Sequence, residues 1–595
     1  PVHAAPSRPA AGLSAMFCCV DESSQAPRFS MVFEVRYPMY VVRAEDVLKM
    51  TEVRRHQQVM ADGLLDAFEP WSGIAVFVSH QWTSRAHPDP EFKQFPVLQT
   101  AMRCARDRSL GLEPDPTLAQ GGILSTIGEA SELSGLGGAF YLWYDFFAIP
   151  QLEAREDSAE DTATLTDLGR AVASIPAYVE RSRHFIILAP DVAHVEVPDR
   201  ILGFTSWKSR GWCRVERAAR VLAADNAPMF LARGGNLLFE VACLDYMWDP
   251  VGEGCFSVES DREKVLPTML ELVDAKLDRL LRDGKIFEFR ALRSRRPLLL
   301  RGLPLASPQG PPAAALQADS GDVAAAFLEA YAFPRNGGRS PQAMLDEALL
   351  LAAAVGDAPV VKALLDRGAN AEANELVDAV AFGVFCGQRP LHHAAASGHM
   401  EVASCLLERR AQLNARDKRF RSSVLDCAAI STCPALLRML VQGAADIRGR
   451  SWAGISAMGT AAAYGRLDNV QELLSLGARA GFADLLFCVQ RGGGDDAVRA
   501  LLEAPGGPDP NRQLRIAAWP LLMSMFLQTL PHRLWGGGGF FALYNYHTAG
   551  ATPLHFAALV GNVAGARALL RAGARDDIRS DRGATAADLA ALIGM

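Results

Sequence analysis

Between residues 70 and 245, short apolar runs alternate with stretches of helical periodicity. GIAVFVSHQW (73–82), AFYLWYDFFAIPQ (139–151), RHFIILAP (183–190) and APMFLA (227–232) are each bounded by breakers and read as buried strands, while 94–107, 164–182 and 211–224 read as helices. That order predicts a multidomain chain whose N-terminal part is an α/β, doubly wound parallel sheet with helices on both faces. Ligands of such sheets collect at the carboxyl edge of the strands. The residues expected there are polar: Ser79, His80 and Gln81 after the first strand, Asp145 and Gln151 after the second, and Arg210 and Glu216 around the start of the helix that follows the third.

In SRGWCRVERAARVLA (209–223), Trp212, Val215, Ala219 and Leu222 recur at helical spacing, and Glu216 borders that apolar stripe. A carboxylate in this position is either neutralised or kept for a task. Pairing with Arg210 or Arg220, or the positive end of its own helix, would neutralise it; an active carboxylate is the other reading. Trp212, Trp143 and Trp82 read first as packing residues, and Cys213 as an inert thiol. Ser79 beside His80 suggests a hydrolase pair, but neighbours on a strand point to opposite faces.

From about residue 341 the pattern changes to paired apolar helices that repeat. GATPLHFAALVGNVAGARALLRAGARDDI (550–578) places Thr552 to cap a helix with Pro553 in its first turn, and Gly573 to end the second helix in a left-handed conformation. QRPLHHAAASGHMEVASCLLERRAQLNARD (388–417) follows the same plan, and loop starts at Arg410, Gly443 and Gly477 are spaced by about one ankyrin period of 33 residues. These copies closely resemble the ankyrin repeat. The resemblance implies an all-α solenoid whose turns and first helices form a concave face for a protein partner, and it makes His392, His393 and His555 structural rather than metal ligands. The spacing from Pro505 to Gly573 leaves room for a degenerate repeat within 511–549.

The N-terminal motifs resemble two related signalling domains, the Toll/interleukin-receptor (TIR) and the heterokaryon-incompatibility (HET) domains. Ser79 ending the first strand and Trp212-Cys213 with Glu216 fit the first; WYDFFAIPQ, Tyr178 and RGWCRVE follow the order of the second, with Pro150 where asparagine is usual. The likeness implies a flavodoxin-like fold. Joined to the repeats, it implies an intracellular signalling adaptor that binds other proteins through its ankyrin array; the alternative is an NAD glycohydrolase that cleaves the nicotinamide–ribose bond and is gated by what the repeats bind. Glu216 and Asp145 would then be catalytic. Ser79, His80, Gln151, Arg210 and Trp212 would line the nucleotide cleft, with the loop 146–170 closing over it. NAD would be substrate, and no cofactor is required.

The joins complete the division of the chain. Residues 1–69 read as an extension with a hairpin near 28–47, 70–250 as the α/β domain, 251–303 as an amphipathic helix and a basic segment, 304–340 as a linker, and 341–595 as six or seven repeats interrupted at 511–549. Leu266, Met269, Val273, Leu277 and Leu280 share one face of the 262–283 helix, which reads as a brace or a self-association surface. The arginines of FRALRSRRPLLLRG (289–302) read as a solvated run. A net charge of −7 argues against nucleic acid as the partner of the whole protein. Eleven scattered cysteines without a CxxC pair suit a reducing, cytoplasmic setting, and no stretch is apolar enough for a membrane span.

Overall fold

The computed structural model describes residues 33–114, 133, 140–151, 159–223, 228–234, 236–241, 243–305, 322–334, 340–515, 519–535 and 539–592. The segment 1–32 and the whole of the Pro- and Ala-rich stretch 306–321 lie outside them. The four expected strands form where the apolar runs fall: β3 (Ile74–His80), β5 (Phe140–Tyr144), β6 (His184–Leu188) and β9 (Met229–Ala232). They lie parallel in the order β5-β3-β6-β9, with Phe77 opposite both Trp143 and Phe185. Those three rings stack at 4.3 and 5.0 Å between centroids and form the centre of one face. Tyr178, from the helix Ile175–Arg181, covers Trp143 at 5.5 Å.

The sheet is mixed rather than purely parallel, which corrects the sequence expectation. β1 (Tyr40–Arg43) pairs antiparallel with β5 and β2 (Leu65–Ala67) antiparallel with β1, so the described residues before 70 extend the sheet. Part of the hairpin expected near 28–47 lies outside the described residues, and 33–47 contain β1 as their one strand. At the other edge β10 (Leu237–Val241) runs antiparallel to β9, because the few residues between them make a tight return and a parallel connection needs a long crossover. β4 (Gly111–Glu113) closes that edge parallel to β10. A separate small pair, β7 (Val192–His194) and β8 (Val197–Leu202), stands over the rim.

The helix Asp261–Arg282 braces the domain: Met269, Leu272, Val273 and Leu277 are buried, and it packs along the helix Gly211–Leu222. The arginine run that follows is not solvated. It is the helix Ile286–Leu299, and it joins the two halves of the molecule. Arg290 pairs with Glu347 at 2.7 Å and donates to the carbonyls of Tyr331 and Ala332, while Arg295 is 1% exposed and meets His393 Nδ1 at 2.7 Å. Part of the segment read as a linker is also ordered, as the helix Val323–Ala330 capped by Asp322.

The repeat array consists of helix pairs beginning at Pro341, Pro390, Val424, Ala457, Phe482 and Pro553, with Ala586–Leu592 closing the last face. Left-handed residues punctuate it at Arg410, Ala444, Gly477 and Gly573, so the second loop turns at Ala444 instead of the expected Gly443. Thr552 turns its hydroxyl to the His555 ring at 2.7 Å, whose other nitrogen reaches Ala584 O at 3.0 Å. Among the described residues of 511–549, no further repeat stands between its neighbours. The helix Phe482–Gln490 stacks directly on Pro553–Leu559, and Asn562 bonds the carbonyls of Val489 and Gly493 at 3.0 Å each. The intervening helices Trp519–Trp535 and Gly539–His547 instead form a hairpin that reaches the α/β sheet, where Phe540 meets Phe239 edge-on at 4.9 Å.

Candidate active site

The pleat of β3 sends its last two residues to opposite faces of the sheet. Ser79 follows Phe77. Its hydroxyl donates to Glu216 Oε2 and accepts the indole N–H of Trp207 at 2.9 Å. His80 lies on the other face, stacked on Tyr144 at 3.8 Å, with its Nε2 2.6 Å from Asp145 Oδ1. Asp145 is the first residue beyond β5 and opens a single helical turn, Asp145–Ala148; its second oxygen takes the Trp82 indole N–H at 3.4 Å. The segment 146–170, read as a loop, therefore contains this turn and the start of the helix Ala159–Ala173.

The two acidic side chains meet over the end of the sheet in a cleft of about 860 Å3. Glu216 and Asp145 line it together with His80, Gln151, Arg210 and Trp212. Ser79 does not. It is fully buried behind Glu216 and holds that carboxyl from the protein side. The ion-pair readings of Glu216 give way to this arrangement. Arg210 reaches Ser257 Oγ at 3.4 Å, and Arg220 turns inward to the carbonyls of Ser182 and Arg183 at 3.3 and 3.2 Å.

Electrostatics separate the two carboxyls. Burial raises Glu216, the Ser79 hydrogen bond opposes that, the Asp145 charge adds to it, the Arg210 charge lowers it in turn without a salt bridge, and the net pKa is about 8. Asp145 is also penalised by burial, but the His80 charge and hydrogen bond and the Trp82 N–H outweigh it and hold Asp145 below its ordinary value. Near neutral pH the cleft thus contains one protonated and one ionised acid, a separation typical of sites that move charge. Cys213 takes no part: burial first, then the Glu216 charge, push its thiol well above the usual range, and its sulfur donates to His80 O at 3.5 Å.

The walls combine apolar and cationic groups. Trp212 is fixed by its indole N–H to Asp261 Oδ2 at 3.0 Å and edge-on to Phe256. Trp82, Leu168 and Val172 extend the apolar side. Arg85 and Arg200 stand exposed at the mouth, and among the described residues neither forms an ion pair. These two and Trp207 escaped the sequence reading, since they come from the loops and short elements around the rim, where no periodicity marks them. The HPDP stretch (87–90) is structural: Asp89 accepts the backbone N–H groups of Lys93, Gln94 and Phe95, each at 2.8 Å, and so starts the helix Phe95–Arg106.

The helix Phe204–Ser209, which carries Trp207, is also where the α/β domain touches the array. Thr205 Oγ1 donates to Gly492 O at 2.9 Å and Lys208 Nζ to Arg491 O at 3.4 Å. Nearby, Arg466 donates to Trp248 O.

Comparison with known proteins identifies the array alone. Residues 349–451 match the family model described as ankyrin repeats (3 copies), and residues 549–581 match that of an ankyrin repeat. No curated protein matches the chain. The C-terminal array is therefore built of ankyrin repeats, which implies protein–protein interaction. Among the described residues no helix is long and apolar enough to cross a membrane.

Proposed function

We propose that the N-terminal domain is a TIR/HET-like hydrolase of the nicotinamide–ribose bond of NAD, and that the ankyrin array binds the protein that controls it. The observation that carries this reading is the Glu216 carboxyl, held by Ser79 at the wall of the cleft instead of being consumed by an arginine. Breaking the glycosidic bond sends its electron pair to nicotinamide and leaves positive charge on the ribose. An ionised carboxylate in a poorly hydrated site stabilises that cation, and water then adds to it, giving ADP-ribose and a proton. The apolar wall of Trp82 and Trp212 suits a flat base, and Arg85, Arg200 and Arg210 suit a pyrophosphate.

Control by the array is supported by the helix Phe204–Ser209. One side of it grips the repeat loop at Arg491 and Gly492, and its Trp207 fixes the serine that holds Glu216. A partner that shifts this loop would act on the carboxyl through a positioning residue, Trp207.

The test is incubation of the full chain with NAD and measurement of free nicotinamide. Glu216→Gln keeps an acceptor for Ser79 and is expected to lower release by about 10²-fold or more, the scale of losing one preorganised charge-stabilising group. Release that survives Glu216→Gln would remove the assignment.

A further inference from the structure

The turns and first helices of the array do not form an open, featureless surface. Part of that face is taken by the α/β domain, whose Trp248 closes one end of a groove of about 210 Å3. Phe385, Phe420, Ile430, Tyr464 and Trp452 line the rest of it. Trp452 is 52% exposed, and its backbone N–H donates to Phe420 O at 3.2 Å. The volume falls below the roughly 300–1,000 Å3 of small-molecule sites, so it suits the insertion of a large side chain rather than a whole ligand.

The loop tips around the groove are rigid and positively charged. Asp417 accepts three successive backbone N–H groups, from Phe420 at 2.6 Å and from Arg421 and Ser422 at 3.1 Å, and Lys418 N bonds Cys386 O at 3.0 Å. This fixed loop presents Lys418 and Arg421; both are exposed, and among the described residues neither forms an ion pair. Two acids line the groove itself, Asp417, tied to the N–H groups of its own loop, and Asp426, tied to Ser423; Asp378 nearby pairs with Arg419 at 3.9 Å. Arg450 reaches Asp484 and so contributes little to the field.

We infer that this groove binds an acidic peptide segment that inserts one aromatic or large aliphatic side chain between Trp452 and Phe420 and sets carboxylates against Lys418 and Arg421. The charge complementarity fixes the class of partner: the cations steer and orient it, while the aromatic pocket supplies the anchor at which such interfaces concentrate their energy. The inference rests on the protein-binding reading of the array and adds where the partner sits and what chemistry it has.

The experiment pans random displayed peptides on the full chain at low salt and measures the binding of the recovered peptides to variants. Recovered sequences are expected to place an apolar anchor among Asp and Glu. They should bind Trp452→Ala and a Lys418→Glu, Arg421→Glu double variant about tenfold or more weakly. Both variants alter exposed side chains, and an unchanged thermal transition shows that they fold. Neutral or basic consensus sequences, or acidic ones indifferent to Trp452→Ala, would overturn the groove assignment while leaving protein binding by the array in place. Recovery of no peptide would overturn the inference as well.

Discussion

A carboxyl raised to about 8 keeps in the folded protein a proton that the unfolded chain releases near its ordinary pKa of 4.5. Between those values the folded state binds more protons, so Glu216 lowers stability progressively as pH climbs from about 4.5 towards 8, the reverse of a salt-bridged acid. Glu216→Gln should therefore melt higher than the parent at pH 8 and close to it at pH 4, which thermal unfolding at the two pH values would show. The same titration shapes the reaction. Nicotinamide release requires the ionised form and should rise through about pH 8. Asp145→Asn removes a like charge that raises Glu216, so the midpoint of this profile should move to lower pH; an unmoved midpoint would mean that the two acids do not sense each other. Glu216 was legible in the sequence because it interrupts an apolar helix stripe, and Asp145 because it follows a strand. Ser79 was legible too, but as a lining residue, whereas it stands behind the carboxyl. Trp207 was not legible, since its partner lies 128 positions away.

The strands of the central sheet were readable because each is buried on both faces and spells an uninterrupted apolar run. β4 and β10 were not: β4 is a three-residue edge strand, and β10 beside it alternates buried and half-buried residues rather than spelling an apolar run. What protects that edge is the hairpin of helices Trp519–Trp535 and Gly539–His547, which the sequence marks as an interruption of the array with room for a degenerate repeat. Phe540 is buried against Phe239, and the Glu113 carboxyl on β4 accepts the backbone N–H groups of Phe540 and Phe541. An uncovered edge is a template for intermolecular pairing. Phe540→Ala is expected to cost about 3–5 kcal/mol and to increase aggregation on heating, measured by denaturant unfolding and light scattering. A loss below about 1 kcal/mol would show that the hairpin is not needed to seal the edge.

At the scale of the molecule, two domains that look separable in the sequence are fastened by polar groups that composition labels as surface. Arg290 and Arg295 belong to a run that reads as solvated, yet one bonds Glu347 and two carbonyls and the other is buried against His393. Only the fold brings those partners together. Arg290→Ala removes these donors at the seam, and the account predicts that one calorimetric transition in the parent becomes two in the variant; a single unchanged transition would mean the seam is held elsewhere. The chemistry of the cleft depends on the protonation of one side chain, Glu216. Infrared difference spectroscopy of the parent against Glu216→Gln reads the protonated carboxyl stretch of Glu216 directly as pH is varied. The account predicts that this band persists through neutral pH and fades with a midpoint near 8, and its disappearance by pH 5 would contradict the account.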